Sequence, residues 1–117
     1  MSTRADRDGP DRGRIVRVGV VGCGRATATL HAPALATLEG VRVAALADTD
    51  AGALRRVADR VGPERTASDY RELVDDPTLD AIAVCVPAQA HAEVALAAIG
   101  AGKHVFVEKP LALSLPA

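Results

Sequence analysis

The 117-residue sequence is 49% hydrophobic and 25% charged, which supports one globular core and excludes two domains of ordinary size. Its formal net charge of -1, with arginines spread along the chain, offers no concentrated basic surface for nucleic acid or an anionic membrane. No apolar run approaches the roughly 20 residues that span a bilayer, no signal-peptide core is present, and Cys23 and Cys85 lack disulfide-scaffold or zinc-ligand spacing. The expectation is a soluble, cytoplasmic protein with reduced thiols and no metal site.

In chain order, residues 1–14 carry mixed charge, two glycines and a proline with almost nothing to bury, and predict a disordered leader ahead of a domain over 15–117. Ile15 to Val21 is a continuous apolar run, as expected for a strand covered on both faces. It flows into Gly22-Cys23-Gly24 and then an alanine-containing stretch, the pattern of strand, tight turn and helix start. Such a turn lets backbone approach a phosphate, and the N–H groups of the following helix supply positive potential. Thr27 departs from the small residue that closes G-x-G-x-x-G. The helix should run from Arg25 or Ala26 towards Leu38, with a kink or break between Leu30 and Pro33 because proline removes a hydrogen bond there.

Gly40 ends that helix. Val41 to Ala47 is a second strand leading to Asp48, about 20 residues beyond the glycines, where a dinucleotide-binding unit places a carboxylate for the adenosine ribose hydroxyls. The alternative is that Asp48, Thr49 or Asp50 caps the next helix. The spacing favours ribose contact for Asp48 and capping for Asp50, and a free carboxylate there favours NAD over NADP. Ala51 to Val61 is a helix with Leu54, Val57, Ala58 and Val61 on one stripe, closed by Gly62-Pro63. Arg65 to Ala67 is a short strand, and Ser68 and Asp69 offer caps for a helix through Leu73 and Val74. Ala81 to Val86 is a fourth strand stopping at Pro87, Gln89 to Ala101 a helix, and His104 to Val107 a fifth strand. Lys103 and His104 are expected to meet water. This alternation specifies an α/β fold, a doubly wound parallel (Rossmann) sheet with helices on both faces. With no Trp, one Tyr and one Phe, its core must be aliphatic, and aromatic stacking on a base is nearly unavailable.

Four stretches together carry a family resemblance: Val18-Gly19-Val20-Val21-Gly22-Cys23-Gly24; His31 with Pro33-Ala34-Leu35; Cys85-Val86-Pro87 followed by His91; and Gly102-Lys103-His104-Val105-Phe106-Val107-Glu108-Lys109-Pro110. The chain resembles the N-terminal NAD(P)-binding domain of the Gfo/Idh/MocA oxidoreductases (glucose-fructose oxidoreductase, inositol dehydrogenase and rhizopine catabolism). The resemblance implies that Gly22, Cys23, Gly24, Arg25 and Ala26 face the pyrophosphate and Asp48 the adenosine ribose. It implies that Val86, Pro87 and His91 line the nicotinamide side, although His91 read by itself could equally cap its helix or face solvent. Glu108 and Lys109 would lie beside the nicotinamide ribose, with Lys109 the catalytic candidate, its ammonium able to stabilise charge on a substrate oxygen. His31 reads as a packing or surface residue. Ala88 stands where the family often carries asparagine.

The sequence stops shortly after Lys109, whereas family enzymes continue into a C-terminal α/β domain that carries most substrate contacts. That domain is expected to be absent. The function implied is hydride transfer between NAD(P) and a sugar, cyclitol or related polyol, catalytically incomplete without a chain supplying the substrate domain, and with apolar surface exposed from Lys109 to Ala117. The alternative functions are a non-catalytic NAD-binding sensor or interaction module, or an inactive fragment.

Overall fold

A computed structural model describes residues 14–24, 27 and 32–107. Stretches rich in β-branched and small apolar residues form five strands: β1 (Val16–Val21), β2 (Val41–Ala47), β3 (Arg65–Ala67), β4 (Ala81–Val84) and β5 (His104–Val107). All pair in parallel, in the order β3-β2-β1-β4-β5. Between them lie α1 (Ala32–Thr37), α2 (Ala51–Val61), α3 (Arg71–Val74) and α4 (Ala88–Gly100). Parallel strands need helical crossovers, and right-handed crossovers that reverse direction at β1 put α1 and α2 on one face of the sheet and α3 and α4 on the other.

Side-chain alternation divides the core into two layers. Val18, Val20, Val43, Leu46, Ala81 and Ala83 pack with Leu35 of α1 and with Ala53, Leu54 and Val57 of α2. Val21, Ile82 and Val84 pack on the other face with Leu73 and Val74 of α3 and Val94 and Ala98 of α4. The alternation slips once: Val18 pairs with Val43 but Gly19 with Ala45, so Ala44 and Ala45 both serve the α3–α4 layer. Gly19 lets leucine side chains pack against β1: a Cβ there would sit 2.8 Å from a Leu79 methyl and 3.0 Å from a Leu73 methyl, which would have to shift.

The predicted strands and helices recur with local differences. β4 is two residues shorter than expected, because the chain turns out of the sheet after a last bond from the Cys85 N–H to the Val21 carbonyl. α2 has its predicted bounds: the Asp50 carboxylate accepts from the N–H groups of Gly52 and Ala53, and Gly62 closes it at φ 61°. α3 begins one turn position later than a Ser68 or Asp69 cap implies, with Asp69 accepting from the Arg71 N–H. Lys103 is half-buried rather than simply solvated; its Nζ donates to the Asp76 and Leu79 carbonyls at 2.7 and 2.9 Å, tying the loop before β4 to the entry of β5. The predicted helix from Arg25 or Ala26 is described as α1 only from Ala32, with Pro33 in its first turn; the leader to residue 13, residues 28–31 with His31, and the apolar tail lie outside the described residues.

Candidate functional site

The reversal of strand order at β1 leaves a crevice at the carboxyl ends of β1 and β4, the place where open α/β sheets receive ligands. A cleft of about 740 Å³ occupies it, walled by the glycine turn, the ends of β2 and β3, and the start of α4.

The two glycines of the turn do different things. Gly22 has φ 102° and donates its N–H to the Ala47 carbonyl. A Cβ on it would lie 2.5 Å from the Cys85 carbonyl oxygen and 2.9 Å from the Val86 nitrogen, so the chain's own backbone fills that space. Gly24 lines the cleft, and a Cβ there would meet nothing within 4 Å among the described residues. Of these two glycines, Gly24 is the one that leaves a surface among the described residues that a phosphate could approach.

Between them, Cys23 turns its side chain into the core, where it is 1% exposed with Sγ 3.8 Å from the Ala47 carbonyl. Burial, then the nearby Asp48 charge and Cys85, push its thiol up to about 12, which keeps it protonated and unreactive at neutral pH. Its N–H donates to Asp48 Oδ2 at 2.7 Å. The two cysteines are not joined in a disulfide.

Asp48 follows β2 and lines the cleft. Its second oxygen, Oδ1, accepts from the Asp50 N–H at 2.8 Å. The carboxylate thus braces the glycine turn against the start of α2, and each oxygen retains a lone pair for a further donor. Its predicted freedom is accordingly partial.

Val86 and Pro87 line the opposite wall from the loop that follows β4. His91, on the first turn of α4, is 3% exposed, lines the same wall, and its Nδ1 has no hydrogen-bond partner among the described residues. Neither simple capping nor solvent exposure describes it. A buried ring nitrogen without a partner costs free energy; here it belongs to a residue of the cleft wall. His91, Val94 and Ala98 are buried together on one face of α4.

Arg25, Ala26, Glu108 and Lys109 lie outside the described residues. β5 ends at Val107, paired with Val84, at the same edge of the sheet as the cleft. Thr27, Arg56, Ser68, Tyr70 and Glu93 also line the cleft, and sequence reasoning did not select them. Ser68 was findable, since it follows β3 as Asp48 follows β2; the Tyr70 hydroxyl donating to Glu93 at 2.9 Å joins residues with no sequence signal of proximity. Among the described residues no group of three or more His, Cys, Asp or Glu could hold a metal ion, and no helix is long and apolar enough to cross a membrane.

The residues present fit a dinucleotide on three counts: an unobstructed glycine, a strand-end carboxylate with spare acceptor capacity, and a buried imidazole awaiting a partner. The model of the oxidoreductase family with an NAD-binding Rossmann fold, Gfo/Idh/MocA, matches residues 16–117. The chain belongs to the Gfo/Idh/MocA family.

This Gfo/Idh/MocA domain is 39% identical over 100 residues to the myo-inositol 2-dehydrogenase of Thermotoga maritima, covering 86% of this chain and 30% of that protein. It is 37% identical over 101 residues to the NAD(+)-dependent scyllo-inositol 2-dehydrogenase of Bacillus subtilis, covering 86% of this chain and 29% of that protein. Among solved structures, a scyllo-inositol dehydrogenase from Lactobacillus casei with bound NAD(H) and scyllo-inositol superposes with a TM-score of 0.76 at 29% identity, over 84% of this chain and 29% of that one. A 3-ketoreductase from Actinomadura kijaniata in complex with NADP and TDP-benzene superposes with a TM-score of 0.78 at 36% identity, over 84% of this chain and 30% of that one. The chain therefore spans about 30% of the length of the curated relatives it matches.

Proposed function

We propose that this domain binds NAD across the cleft and is the cofactor half of an oxidoreductase acting on a secondary hydroxyl of a cyclitol, sugar or related polyol. The observation that carries the reading is one cleft lined by Gly24 of the glycine turn, by the strand-end Asp48 and by His91, whose buried Nδ1 has no hydrogen-bond partner among the described residues. Asp48 accepts from the adenosine ribose hydroxyls while holding the Cys23 N–H. Gly24 and the backbone of Arg25 and Ala26 receive the pyrophosphate. Val86 and Pro87 exclude water from the nicotinamide side, where His91 donates to or accepts from the cofactor according to its tautomer. NAD bound there supplies the hydride acceptor. Glu108 and Lys109 lie beside the nicotinamide ribose, and the Lys109 ammonium stabilises the substrate oxygen as its carbon is oxidised. The inositol dehydrogenases among the relatives support the polyol class. Substrate selection and turnover require the further length those relatives possess.

Calorimetric titration of the 117-residue chain tests the reading. NAD binds in the millimolar range or tighter, and Asp48→Asn weakens it about tenfold, the loss of one charge-assisted bond. No binding at millimolar NAD overturns the cofactor reading, and unchanged affinity in Asp48→Asn overturns the ribose assignment.

A further inference from the structure

We infer that Arg56 covers the adenine ring of the bound nucleotide, supplying through its guanidinium plane the stacking surface that this aromatic-poor chain otherwise lacks. The inference rests on the NAD-binding reading, which puts the adenosine ribose at Asp48 and hence the adenine at that end of the cleft. The cleft wall next to Asp48 is made by Thr49, Asp50, Arg56 and Ser68. Arg56 is on the second turn of α2, and helical side chains lean towards the N-terminus, over the residue four positions earlier.

That residue is Gly52. A Cβ at Gly52 would stand 3.7 Å from Arg56 Nη1 and 3.4 Å from Asp50 Oδ1. These are ordinary contact distances, and they place the Arg56 guanidinium over Gly52 at the start of α2, beside Asp50 at the mouth of the cleft. The guanidinium makes no ion pair or hydrogen bond with the described residues, so its plane and its donors are available. The other flat groups on the wall are committed: the Tyr70 hydroxyl bonds Glu93 and the Arg71 guanidinium lies 6.0 Å over its ring, while His91 is buried on α4. Phe106 is not among the lining residues.

Two carboxylates, Asp48 and Asp50, flank this end of the cleft. A single cation beside them favours the neutral face of a purine over a 2'-phosphate, which both acids repel. Arginine suits the task because its delocalised, weakly hydrated plane stacks on π-systems where an ammonium does not.

The test is calorimetric titration of the full 117-residue chain and its Arg56→Ala and Arg56→Lys variants with NAD, ADP-ribose, NADP and nicotinamide mononucleotide. Expected is a rise of about tenfold in Kd for NAD, ADP-ribose and NADP alike in Arg56→Ala. Arg56→Lys shows a similar loss, and nicotinamide mononucleotide binds all three chains equally. Unchanged ADP-ribose affinity in Arg56→Ala, full recovery in Arg56→Lys, or a loss confined to NADP overturns the stacking assignment while leaving the NAD reading intact. Failure of the unsubstituted chain to bind ADP-ribose or NAD overturns both.

Discussion

At the scale of single residues, Gly22 and Gly24 look alike in sequence and differ in what demands them. Gly22 combines positive φ with a Cβ direction blocked by the Cys85–Val86 backbone. Gly22→Ala is expected to destabilise by roughly 3 kcal/mol or more, since strain and overlap add. Gly24→Ala should change stability by no more than about 0.5 kcal/mol, because no atom of the described residues lies where the methyl would go; its NAD affinity should nonetheless drop about tenfold, the backbone being held off the pyrophosphate. Chemical denaturation and nucleotide titration of the two variants separate these effects. Equal destabilisation by both would show that the turn is one structural unit with no ligand-facing member. The phosphate-cradle pattern was legible in the spacing, but the division of labour was not, because the atoms that exclude a Cβ at Gly22 come from a loop after β4.

At the scale of elements, α2 shows how far local sequence determines a helix. Asp50 caps it, Gly62 adopts the left-handed conformation that ends it, and Ala53 and Val57 bury its inner stripe. All of these follow from residue type and spacing within one segment. Asp50→Ala should cost about 1 kcal/mol by urea denaturation, with Asp50→Ser recovering most of it; a loss below a few tenths would mean that the helix is held by packing alone. β4 and α4 were less legible. The apolar run to Val86 reads as strand, yet the sheet ends at Val84 because the following residues turn over Gly22 to make the cleft wall. His91 read as ambiguous, since a histidine near a helix start can serve several ends and its burial depends on which face of α4 meets the sheet. Lys103 was misread for a related reason: its partners are carbonyls of Asp76 and Leu79, invisible to any reading of its own neighbourhood.

At the scale of the whole molecule, the edge of the sheet opposite the cleft is joined by charge. Arg17 of β1 donates to both oxygens of Glu64 at 2.9 and 2.7 Å, and Arg42 of β2 donates to the same carboxylate at 3.1 Å. The Arg17 N–H and guanidinium also reach Asp80 and the Thr78 carbonyl ahead of β4. Hydrogen bonds from Arg17 and then Arg42 bring the Glu64 carboxyl down from 4.5 to about 2. A carboxyl lowered on folding contributes stability that is complete above its unfolded value and lost as pH falls through its folded one. Unfolding curves taken from neutral pH down to about pH 2 should therefore show a decline below about pH 4.5 that is shallower in Glu64→Gln. Parallel curves for the two proteins would remove the network from the account of acid stability. The exposure of Glu64 to solvent keeps its share of the total small.

The sequence by itself determined the alternating β and α elements, the parallel doubly wound class and the family, because periodicity, caps and the spacing of short motifs are local properties of the chain. Tertiary structure alone decided that Cys23 points inward, that Asp48 braces the glycine turn, that His91 is buried without a partner, and that Arg56 reaches the cleft over Gly52. Each of those depends on where separate segments meet across the switch at β1. Spacing along the chain specifies which groups are present; only the packing of strands and helices fixes which of their donors and acceptors remain available to a ligand.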